Sequence, residues 1–169
     1  MHQKFIEIDE HLSTSRNISH YLLPTKHRDR YDVLKRLIDV IDPYICIIFC
    51  NKREEVEKLS HQLREDGYKV GEIHGNLEPR ERRQMMRRIQ NMEYQYIVAT
   101  DIAARGIDID GVSHIINMEF PTELDFIFIV VVVVVEENIQ VNVIICMIHL
   151  INLLLKNWKR KGFILKLRN

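Results

Sequence analysis

The sequence predicts an α/β domain in which a parallel sheet carries helices on both faces. Three observations lead there. Short apolar runs such as Ile45-Cys46-Ile47-Ile48-Phe49 and Tyr96-Ile97-Val98-Ala99 have the length of strands buried on both sides. Between them lie longer stretches whose apolar residues return every three or four positions with charges elsewhere, as on surface helices. The two patterns alternate, and such alternation implies parallel strands joined by right-handed crossovers.

Met1 to Ser15 is polar except for the alternating piece Phe5-Ile6-Glu7-Ile8, so residues 1–16 read as a linker or an edge segment. Asn17 to Leu23 reads as a strand. Lys26 to Ile41 follows as a helix, with Tyr31, Leu34, Leu37, Ile38 and Ile41 on one stripe, and Pro43 ends it. After the strand at Ile45 to Phe49, Lys52 to Asp66 forms a second helix through Val56, Leu59 and Leu63. Gly67 sits where a helix takes its left-handed terminal residue. Lys69 to Ile73 is the next strand. Glu78 and Pro79 open a third helix, because proline is tolerated where the first amide lacks a partner, and Met85, Met86 and Ile89 supply its buried side. Tyr96 to Ala99 and His114 to Asn117 complete the strands.

A chain of 169 residues has room for about one domain, and 46% hydrophobic with 28% charged residues is a globular composition. Its charges sum to zero, so any contact with nucleic acid must come from a local basic patch. Arg80, Arg82, Arg83, Arg87 and Arg88 form such a patch, opposed only by Glu81. Cys46, Cys50 and Cys146 include no CxxC pair and no histidine at a zinc-ligand interval, so neither a disulfide framework nor a metal site is indicated. No secretion signal opens the chain, and Val143 to Leu155 is interrupted by His149 and Asn152, which argues against a membrane span. A cytoplasmic protein is expected.

The stretch Ala99-Thr100-Asp101-Ile102-Ala103-Ala104-Arg105-Gly106-Ile107-Asp108-Ile109 follows an apolar run and gathers hydroxyl, carboxylate, guanidinium and glycine. Ligands of open α/β sheets collect at the carboxyl ends of strands, and Gly106 lets backbone approach a ligand. An ordinary strand-to-helix turn with Asp101 capping a short helix explains the same residues equally well.

Its neighbours decide between these readings. Ile47-Ile48-Phe49-Cys50-Asn51, Ile73-His74-Gly75-Asn76-Leu77-Glu78-Pro79-Arg80-Glu81-Arg82 and Val112-Ser113-His114-Ile115-Ile116-Asn117 with Phe120-Pro121 stand around it in fixed order. Together these segments resemble the second RecA-like domain, the helicase C-terminal domain, of the DEAD-box ATP-dependent RNA helicases of superfamily 2. The resemblance covers residues 17–126 and looks most like the bacterial cold-shock type. It implies a RecA-like fold, RNA as partner, and ATP with Mg²⁺ in an intact parent enzyme that adds a first RecA-like domain. Under the resemblance Arg82, Thr100, His74, Gly75 and Asn76 match positions that contact the RNA backbone, although Pro79 replaces the glutamine that usually precedes the arginine. Asp108 matches the aspartate on the ATP ribose, with Gly106 beside it, and Phe49, Asn51, Asp101 and Arg105 match supporting positions.

Phosphoryl transfer needs a glycine-rich loop with lysine, an acidic Mg²⁺ site and an arginine finger. None of them is found in this sequence, so no catalytic residue is assigned and the chain alone is expected to be inactive. The first two belong to the family's other domain, which implies that the chain begins near the interdomain linker. The arginine finger belongs just after Phe126, where the sequence changes into Ile127-Phe128-Ile129 and the valines Val130 to Val135. Tyr-Ile-His-Arg written TAT ATT CAT CGT becomes Ile-Phe-Ile-Val when its first T is lost, and each later valine then reports a codon for Gly, Arg, Ser or Cys. Residues 127–169 are therefore read as an aberrant tail, out of frame after a one-base deletion, against the alternative of a genuine divergent tail. Ile127 to Val135 is apolar, β-branched and uncharged, so aggregation is expected, although a hydrophobic strand of the tail has the means to dock on the sheet edge. Three rivals stay open: a non-catalytic RNA-binding module, a superfamily 2 motor on DNA, and a structural remnant with no partner.

Overall fold

Cys46–Cys50 is the strand around which the sheet is laid out, and all its residues are buried. The computed structural model describes residues 5–9, 18–24, 29–104, 109–119, 141–147 and 164–168. In chain order these form β1 (Phe5–Asp9), β2 (Ile18–Pro24), α1 (Arg30–Ile41), β3 (Cys46–Cys50), α2 (Arg53–Glu65), β4 (Val70–Ile73), α3 (Pro79–Gln90), β5 (Tyr96–Thr100), α4 (Asp101–Ala104), β6 (His114–Asn117), β7 (Val141–Met147) and β8 (Ile164–Arg168). The strands stand in the order β4-β5-β3-β6-β7-β2-β1-β8. Pairing is parallel from β4 through β2 and antiparallel on either side of β1. The centre, β4-β5-β3-β6 with its helices, is the RecA-like parallel arrangement that the sequence predicts.

Alternation along β3 divides the core in two, because successive strand residues face opposite sides of a sheet. Cys46, Ile48 and Cys50 pack with Leu34 and Ile38 of α1 and Val56 and Leu63 of α2. Ile47 and Phe49 pack on the other side with Ile73, Ile89 of α3 and Ala103 of α4. Helices therefore cover both faces. On α3 only Ile89 is fully buried, while Met85 and Met86 are half-buried.

Local signals explain the helix ends. Asp29 caps α1 by accepting the Tyr31 amide at 2.7 Å, so that helix begins at Arg30 and not at Lys26. It closes on Asp42, left-handed at φ 38°, whose amide bonds the Ile38 carbonyl at 3.0 Å. Gly67 takes the left-handed position after α2 at φ 91°, as its place in the sequence predicts. Glu78 and Glu81 form a capping box ahead of Pro79, which starts α3.

Two pairings differ from the sequence reading. The Phe5–Asp9 strand is not an edge, since β2 and β8 lie on its two sides. The tail contributes Val141–Met147, which does not dock on an edge but sits inside the sheet between β6 and β2. A run of valine and isoleucine suits a strand paired on both sides. The rest of the tail, Ile127 to Val135 included, lies outside the described residues.

A tie between helices gives the fold a pH dependence. The Lys35 ammonium and the Tyr31 hydroxyl both donate to Asp66 Oδ2, at 2.8 and 2.6 Å, joining α1 to the end of α2. These bonds, Lys35 foremost, hold the Asp66 carboxyl below its usual range. A group with a lowered folded pKa adds stability above its unfolded pKa, and that stability is lost as pH falls through the folded value. Asp66→Asn is therefore expected to melt below the parent at neutral pH, with the gap closing in acid. Thermal denaturation over a pH series checks this, and an equal gap at every pH would refute it.

Candidate nucleic-acid interface

Parallel strands in register end together, and here a cleft opens just beyond that row. Ile73, Ala99, Phe49 and Asn117 share one line across β4, β5, β3 and β6. One step further come Thr100, which ends β5, and the turns that leave β3 and β4. The chain leaves β3 into α2 on one face and β5 into α4 on the other, so the crossovers part between these adjacent strands. Such switch points form crevices at the carboxyl edge of open α/β sheets.

A cleft of about 570 Å³ opens there, lined by Asn51, Arg53, Glu54, Gly75, Asn76, Arg82, Thr100, Asp101, Ile102 and Ala103. Six of these, Asn51, Gly75, Asn76, Arg82, Thr100 and Asp101, are positions the sequence singles out. Arg82 reaches the cleft from α3, and its Nη2 donates to the Ala103 carbonyl at 2.7 Å. The guanidinium is thus braced against α4. A Cβ at Gly75 would meet no atom within 4 Å, so the backbone here borders open space.

His74 stands apart. It is only 6% exposed and does not line the cleft; its Nε2 lies 3.8 Å from Glu57 Oε1, and its Nδ1 is buried without a hydrogen-bond partner. Phe49 is core beneath the cleft. Arg105, Gly106 and Asp108 lie outside the described residues.

Arg53 and Glu54 are the residues that sequence reasoning missed. Arg53 pairs with Glu54 at 3.0 Å and Glu57 at 3.5 Å. The Glu54 carboxyl is held below its usual range, chiefly by its own backbone amide, with Arg53 adding to the effect. Their signal was position, because a helix that starts directly after a parallel strand turns its first residues toward the carboxyl edge. The N-cap of α2, Lys52, makes no side-chain capping bond, and the amides there are met by carboxylates of the first turn, Glu54 on its own amide and Glu55 on that of Lys52. The cleft thus gathers two guanidinium groups, a hydroxyl and two amide side chains together with two carboxylates. That set suits a polyanion held along its backbone better than an isolated acid. On the outer side of α3, Arg80, Arg83 and Arg87 are exposed, while Arg88 bonds Glu93 at 2.7 Å and lies 4.7 Å above the Tyr94 ring.

Among the described residues, no group of three or more His, Cys, Asp or Glu side chains gathers as metal ligands do. No described helix is long and apolar enough to cross a membrane.

The helicase conserved C-terminal domain family matches residues 29–147, a span that runs from the cap of α1 through β7. The chain belongs to that family. It is a helicase C-terminal domain of the DEAD-box kind, and its match passes Phe126 into the tail. The DEAD-box ATP-dependent RNA helicase CshB of Staphylococcus aureus is 49% identical over 125 residues, covering 74% of this chain and 28% of that protein. CshB of Bacillus subtilis is 43% identical over 123 residues, covering 73% of this chain and 28% of the relative. The chain thus spans little more than a quarter of the curated relatives it matches. Among solved structures, the E. coli DEAD-box protein SrmB bound to regulator of ribonuclease activity A superposes with a TM-score of 0.73 at 25% identity, covering 89% of this chain and 87% of that one. Mss116p helicase domain 2 bound to an RNA duplex shares the fold, with a TM-score of 0.59 at 22% identity over 70% of this chain and 48% of that one.

Proposed function

We propose that this domain holds the sugar-phosphate backbone of RNA in the cleft at the carboxyl edge of β3, β4 and β5. In this reading it is the second RecA-like half of an ATP-dependent DEAD-box RNA helicase. The observation that carries it is convergence: Asn51 after β3, Gly75 and Asn76 after β4, Arg82 on α3 and Thr100 on β5 lie far apart in sequence yet line one cleft. The relatives' names support RNA as the ligand, and one solved relative is a helicase domain 2 bound to an RNA duplex. Arg82 and Arg53 supply charge and Thr100 a hydroxyl. Contacts of this kind position a strand without reading its bases.

Asp108, with Gly106, is the proposed contact to the ATP ribose, and Mg²⁺ enters with the nucleotide on the parent's other domain. No residue of this chain is proposed to transfer the phosphoryl group, so the chain alone is expected not to hydrolyse ATP, with or without RNA. A cytoplasmic site of action accords with RNA as partner.

Gly75→Ala tests the site with little risk to the fold. The added methyl would meet nothing in the protein but would stand in the open space that a phosphate backbone would fill. The expected result is an unchanged melting temperature with binding of single-stranded RNA weakened about tenfold, or about 1.4 kcal/mol. Fluorescence anisotropy with a labelled oligouridylate reads it. Unchanged affinity in both Gly75→Ala and Asn76→Ala would place RNA elsewhere.

A further inference from the structure

Beside the cleft, where β3 and β6 end, four side chains meet whose roles the RNA reading leaves unassigned. Met118 extends the pairing of β6 with β3 through its amide to the Phe49 carbonyl at 2.9 Å, which sets Glu119 under the turn at Asn51. Glu119 Oε2 accepts the Asn51 amide at 2.9 Å. Its Oε1 accepts Arg30 Nη1 at 3.1 Å, and the same nitrogen lies 3.5 Å from the Met118 carbonyl. The Glu119 side chain is 18% exposed, its bond to Arg30 is half-buried and its bond to the Asn51 amide lies at the surface.

Glu55, on the first turn of α2, faces the Glu119 carboxyl, and its Oε2 is buried without a hydrogen-bond partner. Two carboxyl groups in contact cannot satisfy each other while both are ionised, because each is then an acceptor only. One proton between them turns repulsion into a hydrogen bond. Burial first, then the bond to Glu119 and the Glu119 charge, push the Glu55 carboxyl above its usual range, while the Lys52 amide and ammonium pull it down. The remaining neighbours are Arg30, which favours ionised carboxylates, and Cys50, whose thiol is pushed up by burial and by both carboxylates and stays neutral.

We propose that the Glu119 carboxylate is the positioning group that holds the Asn51 side of the cleft, and that the ionisation of Glu55 sets whether it can do so. Protonated, Glu55 completes the set of donors around Glu119. Ionised, it repels Glu119 away from the Asn51 amide and adds a negative charge beside the cleft. Both effects have one sign, so affinity for a phosphate backbone falls as pH rises through the Glu55 titration. The affinity statement rests on the RNA reading above; the statement about Asn51 does not.

The test compares the full chain with Glu55→Gln, Glu119→Gln and Glu119→Ala, using labelled oligouridylate between about pH 5 and pH 8, the window that also contains ordinary histidine titration. The readout is the difference from the parent, so pH effects common to all variants cancel. The parent is expected to lose about tenfold more affinity across the window than Glu55→Gln. Glu119→Ala is expected to bind weakly throughout. Glu119→Gln, which keeps an acceptor for the Asn51 amide without the charge, is expected to restore binding and to lack the extra pH dependence. The exchange rate of the Asn51 amide, followed without RNA, is expected to rise in Glu119→Ala and to rise with pH more steeply in the parent than in Glu55→Gln. A parental pH profile retained in Glu55→Gln, or Asn51 exchange indifferent to Glu119→Ala, overturns the proposal. Absence of RNA binding by every chain, with the exchange pattern present, overturns only the RNA reading.

Discussion

Arg82→Ala is expected to weaken binding of single-stranded RNA by roughly ten- to a hundredfold, since hydrogen bonds to charged groups contribute about 1.5–3 kcal/mol each. Two effects combine. The guanidinium is a cationic donor set at the cleft, and its Nη2 also ties α3 to α4 through the Ala103 carbonyl at 2.7 Å. Alanine removes the charge and frees the short α4 segment that carries Asp101 and Ile102. Lysine keeps a charge but cannot reproduce the planar fork that serves two acceptors at once, so Arg82→Lys should fall between the two. Arg80, two residues earlier but exposed and absent from the cleft lining, is the control for general charge. Its replacement should cost at most about threefold, the scale of a surface ionic contact. Equal losses at Arg80 and Arg82 would mean that a diffuse basic surface binds RNA, and not the cleft. Anisotropy titrations at two salt concentrations separate the cases, because non-specific phosphate contacts are the most salt-sensitive.

Ile48→Ala is expected to be the most damaging of these substitutions to the fold, at about 3–4 kcal/mol and a melting temperature lower by about 10 °C for a chain of this size. Ile48 lies in the middle of β3, opposite Val98 of β5 and Ile116 of β6, and is fully buried against α1 and α2. Its loss leaves a cavity where two helices and three strands meet, and neighbours paired in register on both sides cannot collapse into it. Val40→Ala is the matched control. That side chain is 83% exposed on α1 and should change stability by less than about 0.5 kcal/mol. Thermal or chemical denaturation measures both, and similar values would place the core elsewhere.

Residue by residue, the legible part of this chain is what local physics determines. Ile45 to Phe49 declares a doubly buried strand by its apolar run. Gly67 and Pro79 declare helix ends by conformational freedom and by a missing amide, and the structure places them so. The stretch after β5 was legible from its place at a strand end, whereas Asn51, Gly75, Asn76 and Arg82 were legible through the resemblance to the helicase C-terminal domain. What was illegible depends on pairing across long separations. The bond from Arg30 to Glu119 joins residues 89 apart, and no periodicity announces it. The antiparallel pairing of Phe5–Asp9 with Ile164–Arg168 joins the two ends of the chain. Arg53 and Glu54 looked like the solvated side of an amphipathic helix, because periodicity identifies the buried stripe and says nothing about what lies beyond a helix start. His74 shows the converse. Its place in a glycine turn resembled a contact position, yet the turn folds its ring inward beside Glu57 and leaves Gly75 and Asn76 at the cleft.

Photocrosslinking of a 4-thiouridine oligonucleotide to the full chain, with the attached peptides mapped by mass spectrometry, tests the central claim most directly. Crosslinks are expected at the residues from Gly75 to Arg82 and from Thr100 to Ala103, and strongly weakened in Arg82→Ala. Crosslinks concentrated instead around Tyr44, Met92 and Gly111, which cluster away from the cleft where Tyr44 bonds Met92 and packs over Gly111, would contradict it.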